Sequence, residues 1–215
     1  MLEFVNFLSA LLLLIAFAMI AQKRKLPLIN LFALQGLVLS VSTFFVAFMT
    51  HKSHLYLSAA LTLLVKAVVL PMVLRRLVRS LGVAWSSETL LGTPATMLLG
   101  IVLVAFSFNL AHPLSSLAGT VVHGTFVIAT ASVLLAFLML VTRKTAISQV
   151  IAFLAMENAL FFAATSVTYG MPMVVEIGIA LDVLVGVFIL GIFLFQLRES
   201  PDHLDLSHLE TMRAD

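Results

Sequence analysis

The chain has 215 residues, of which 62% are hydrophobic and 10% charged, with a net charge of +2 and no cysteine. A soluble domain runs about 45–50% apolar and about 25% charged, and one of roughly 200 residues still needs a polar exterior. The composition therefore excludes an ordinary cytosolic enzyme, a nucleic-acid-binding domain and a disulfide scaffold, and lipid is the expected solvent for most of the chain.

A spanning helix takes about 20 mostly apolar residues, and seven segments qualify: roughly 2–21, 28–49, 55–74, 94–111, 119–141, 146–168 and 174–197. Runs such as Leu11-Leu12-Leu13-Leu14-Ile15 do not alternate as the strands of a closed barrel must. The expected fold is all-α, a polytopic bundle of seven transmembrane helices. The first apolar run leads into Lys23-Arg24-Lys25 and not into a small-residue cleavage site, so it reads as a retained span and not a signal peptide.

The basic residues set the orientation. With the amino terminus outside, the inner loops hold Lys23, Arg24, Lys25, then Arg75, Arg76, Arg79, then Arg143 and Lys144, and the tail holds Arg198 and Arg213. That is ten of the twelve, with Lys52 outside and Lys66 within a span. So one-sided a distribution predicts the amino terminus outside and the carboxyl terminus inside.

Four regions follow from these breaks. Residues 1–80 form a three-helix half and 81–93 a linker containing Trp85, which reads equally as an interfacial segment or a plain loop. Residues 94–197 form a four-helix half and 198–215 a polar cytoplasmic tail. Gly178, Gly186 and Gly191 in the last span read as close-packing positions.

The chemistry sits in the ionisable residues within spans. Lys66 lies mid-span in the third helix, Glu157 mid-span in the sixth, Asp182 in the outer half of the seventh and Glu176 near its outer start. A charge at the bilayer centre costs about 2.5–3.5 kcal/mol on translocon scales, so such residues usually face a bundle interior or an aqueous path. At about 1.5 Å rise per residue, Lys66 and Glu157 lie roughly 16 Å from the ends of their helices and Asp182 about 12 Å. All three reach the midplane.

Ser58, Thr62 and Lys66 recur at helical spacing on one face, and the ring of Pro71 displaces the carbonyl of Ala67 beside Lys66. Asn158 follows Glu157 directly. His123 in the fifth helix can titrate as a relay or serve as a packing histidine. Two readings stay open for the charged set: coupled sites on a proton path, or structural pairs that fix how the helices pack.

The sequence holds no Ser/His/Asp set, no HExxH, no Walker loop and no facing histidine pair. No catalytic residue, no metal site and no cofactor are expected in this chain. A subunit of a larger assembly is favoured over a free-standing enzyme.

Specific motifs resemble known membrane subunits. Lys66-x4-Pro71, Met156-Glu157-Asn158 and Val175-Glu176-Ile177-Gly178-Ile179-Ala180 with Asp182 resemble the E component of hydrogenase-4 and formate hydrogenlyase-type complexes. The part from 119 to 197, with Thr142-Arg143-Lys144, Glu157-Asn158 and Ala180-Leu181-Asp182, resembles the K-type membrane subunit of complex I. That family's middle-helix acid aligns at Leu154, one turn before Glu157, and Asp182 stands where it has Glu.

The resemblance implies a multi-pass subunit of the prokaryotic inner membrane, beside antiporter-like and H-type membrane subunits, with cytoplasmic redox subunits holding every cofactor. Glu157 and Asp182 would then lie on a central hydrophilic axis, joined by Lys66, Glu176 and His123. A subunit of a cation/proton antiporter complex, or a membrane scaffold without transport, is the alternative.

Overall fold

Each long apolar stretch carries its backbone polar groups inside a helix, the arrangement open to a lipid-solvated chain. The computed structural model describes residues 2–50, 53–80, 89–111 and 120–168, together with positions 178, 181, 184–186 and 191. Helices α1 (Leu2–Ala21), α2 (Lys25–Thr50), α3 (Ser53–Thr62), α4 (Leu70–Ser80), α5 (Thr93–Ala111), α6 (Thr120–Thr142) and α7 (Ala146–Thr168) follow in order, with a π-helical segment, Leu63–Val69, joining α3 to α4. Among the described residues there is no strand beyond an isolated antiparallel bridge between Thr89 and Arg143. Six of these stretches are long and apolar enough to cross a membrane, α3, the π segment and α4 counting as one. The chain is a multi-pass membrane protein.

The expected spans 2–21 and 146–168 coincide with α1 and α7. The second begins earlier than expected: α2 starts at Lys25, because Pro27 falls in the first helical turn, where a missing N–H costs nothing. Arg24 caps it, its carbonyl accepting from the Leu28 N–H at 3.2 Å. The third span runs on to Ser80, so Arg75, Arg76 and Arg79 lie on a helix and not in the expected loop. Backbone hydrogen bonding continues there while the guanidinium groups extend from its surface. Most of the expected seventh span, 174–197, lies outside the described residues, although its described positions are helical. So do Trp85 and the 198–215 tail.

Packing joins α1 to α2, α5 and α6, joins α6 to α5 and α7, and sets α2 against α7 and the whole third span. Helix α5 thus stands at one edge and the third span at the other. Outward faces carry large apolar side chains such as Leu98, Ile101, Phe106 and Phe108 on α5, which suits lipid contact. The core between them includes Leu28, Phe32 and Leu39 of α2 with Leu135 of α6 and Leu154 of α7.

One buried arginine ties the ends together. Arg143, expected as a loop charge, is 2% exposed. Its Nη2 lies 3.0, 3.1 and 2.7 Å from the carbonyl oxygens of Met19, Ile20 and Gln22, its two N–H groups shared among three acceptors. These carbonyls lie at the end of α1 and just past it, where the Met19 carbonyl also accepts from the Gln22 N–H at 3.3 Å and a cation meets the negative end of the helix dipole. Burial pulls the Arg143 pKa below its ordinary value. Nearby, the Leu90 N–H donates to the Thr142 carbonyl at 2.8 Å, and Arg75 Nη2 donates to Asn30 Oδ1 at 2.8 Å. The basic stretches at 23–25, 75–79 and 143–144 therefore share one end of the bundle.

Candidate functional site

Helix α2 is polar along the face it buries. Gln35, Ser40, Ser42 and Thr43 are all buried within an otherwise apolar helix, and the Ser40 hydroxyl donates to the Ala59 carbonyl of α3 at 2.8 Å. Gly36 makes a close approach possible. A Cβ at this position would lie 3.0 Å from both the carbonyl carbon and the Cβ of Lys66, so the missing side chain lets the third span press against α2.

The backbone there has changed register. The Leu70 N–H donates to the Val65 carbonyl five residues back, as a π turn requires. This wider turn ends one residue before Pro71. Ser58, Thr62 and Lys66 all point into the bundle and are buried, as their spacing predicts.

Lys66 reaches from this turn to α7. Its Nζ lies 2.8 Å from Glu157 Oε1, with the two side chains 1% and 8% exposed. The same ammonium stands 5.4 Å from the centre of the Phe161 ring, one helical turn beyond Glu157, close enough for a cation–π attraction. A second polar contact lies beside it: Asn158 Nδ2 donates to Gln35 Oε1 at 3.3 Å. Two adjacent α7 residues thus hold the third span and α2. Asn158 Oδ1 and Ser58 Oγ, both buried, find no hydrogen-bond partner among the described residues.

Glu157 also borders a cavity of about 350 Å³, with Phe153, Met156, Leu160, Phe161 and Leu181 among its other lining residues. Gly178 helps to close it, packed so tightly on Phe161 that a Cβ there would lie 2.6 Å from the ring. Gly186 and Gly191 are open instead, since a Cβ at either meets nothing within 4 Å.

Of the five residues expected at the site, the structure brings Lys66 and Glu157 together. His123 lies on α6, but its side chain is outside the described residues, as are Glu176 and Asp182. Gln35, Gly36 and Phe161 were not anticipated. Gln35-Gly36, a polar and a small residue in mid-span, was the available signal; Phe161 looks like any apolar residue in sequence. Chemically, the arrangement is a desolvated ammonium–carboxylate contact.

Comparison with known proteins gives this chain relatives of its full length. It is 30% identical over 203 residues to the uncharacterised protein Rv0085 of Mycobacterium tuberculosis, covering 94% of this chain and 92% of that protein. The chain belongs to that protein's family. More distantly, it is 22% identical over 210 residues to hydrogenase-4 component E of Escherichia coli K12 and of Shigella flexneri, covering 98% of this chain and 97% of each. The homology to component E therefore runs along nearly the whole chain. No family model matches it. No solved structure matches it either.

Proposed function

We propose that this chain is a non-catalytic membrane subunit of a complex-I-like assembly of the hydrogenase-4 type, and that the Lys66–Glu157 contact is a step on its proton path. The observation that carries the reading is a buried ion pair at mid-helix depth in a chain homologous to hydrogenase-4 component E from end to end. A proton passing from Lys66 Nζ to Glu157 Oε1 turns the ion pair into a neutral amine and acid. The cavity beside Glu157 gives its carboxyl room to turn away once protonated.

In this reading Asp182, Glu176 and His123 continue the path, and 119–197 is a module of the complex-I K type. The amino terminus faces out and the carboxyl terminus in, across the prokaryotic inner membrane. Antiporter-like and H-type subunits flank the chain, and every redox cofactor belongs to other subunits. Which redox reaction drives the assembly is set by those subunits.

The 2.8 Å contact itself supports a second reading, a structural pair that fixes how α7 meets the third span. Glu157→Gln in the intact complex separates the two. The amide still accepts a hydrogen bond from Lys66 but takes up no proton, so the complex should assemble while proton translocation in reconstituted vesicles falls. Normal assembly with undiminished translocation would remove Glu157 from the path.

A further inference from the structure

The outer face of the third span carries a feature that the Lys66–Glu157 site does not use. Val68, Met72, Arg75, Arg76 and Arg79 fall on one side of the helix, at spacings of three and four residues. With Ala67 and Pro71 they line a groove of about 450 Å³. The opposite side of α4, with Leu70, Leu74, Leu77 and Val78, is buried in the bundle. Val68 and Met72 are exposed and lie deeper in the membrane than the arginines. From Met72 to Arg79 the groove rises about 10 Å.

Among the described residues, none that lines the groove is acidic. Three guanidinium groups therefore repel one another on one and a half turns of helix. Arg75 is held in place by Asn30, a neutral partner that orients its fork without cancelling its charge. From this juxtaposition we propose that the groove is a binding site for an anionic phospholipid. The phosphodiester would lie between Arg75, Arg76 and Arg79, and an acyl chain along Met72 and Val68. Arginine's planar fork matches phosphate oxygens two at a time, and basic pockets at the ends of spanning helices hold lipid headgroups in this way. The order of the groove, cationic at the helix end and apolar below it, is the order of charge and hydrocarbon in a phospholipid. An acidic protein surface would match the arginines alone. The inference needs only the membrane-spanning fold and is independent of any proton path.

The test uses the full chain, purified in detergent and titrated with phosphatidylglycerol or phosphatidylcholine, with bound lipid counted by native mass spectrometry. Wild-type protein should retain phosphatidylglycerol in preference. Arg76→Gln and Arg79→Gln should each weaken that retention by about fivefold, and Arg76→Lys with Arg79→Lys should fall between the wild type and the Gln variants, because lysine keeps the charge but loses the fork. Helicity by circular dichroism verifies folding, and if one Gln variant fails to fold the other still reads the preference. Equal retention of both lipids by the wild type would overturn the proposal. So would an unchanged phosphatidylglycerol preference in the Gln variants, including the case where they lose a protein partner from the native complex instead.

Discussion

Lys66 Nζ stands 2.8 Å from Glu157 Oε1, although the two residues are 91 positions apart in the chain. The contact joins the third span to α7 past the edge of α2, and both side chains are almost fully removed from solvent. Removing one partner of such a pair leaves a charge buried without this counterion, a change that costs about 3–5 kcal/mol in proteins. Glu157→Leu should therefore lower the thermal stability of the purified protein strongly. Lys66→Met combined with Glu157→Leu should recover most of the loss. A coupling energy near zero in that double-mutant cycle would show that the pair holds nothing together.

Gly36 sets how closely α2 and the π turn approach. Its absent Cβ would meet Lys66 backbone and Cβ atoms at 3.0 Å, and neither is the free end of a flexible side chain. Gly36→Ala should cost about 1–3 kcal/mol, the usual range for overpacking, and Gly36→Val more. Thermal unfolding in detergent measures this. An unchanged midpoint for Gly36→Val would mean that the two helices separate freely.

Arg143 closes the end of α1 through three carbonyls. With Arg143→Met these acceptors lose their buried donor, at about 1–3 kcal/mol for a group left unsatisfied. Arg143→Lys keeps the charge but loses the fork, so its stability should fall between the two. Limited proteolysis at 22–24 reports the same event locally, with faster cleavage expected in the Met variant than in the Lys variant. Equal cleavage in all three proteins would show that this end is secured elsewhere.

The membrane orientation is open to labelling, because the chain has no native cysteine. Cysteine placed at Ser53 or Ser116 should react with an impermeant maleimide from outside the cell. At Ser87 or Ser200 it should react only after the membrane is opened. Labelling of Ser200→Cys from outside would refute seven spans with the carboxyl terminus inside.

The sequence by itself determined that this chain lives in a membrane and where most of its helices run. Both follow from local properties: apolar runs of spanning length, and backbone groups that lipid forces into helices. It placed the end of α1 at Ala21 and the start of α7 at Ala146, since polar breaks adjoin both. It misplaced the end of the third span, because charge at 75–79 reads as loop while the helix continues under it. Depth along a helix is also local, so Lys66 and Glu157 were legible as residues of one level. Which helices face each other at that level is not local. It depends on their rotation and packing order, hence on Gly36 admitting the π turn and on Gln35 meeting Asn158. Arg143 shows the same division: in sequence it is one more loop cation, and only the tertiary structure turns it inward, because the carbonyls that need it belong to a helix more than 120 residues away.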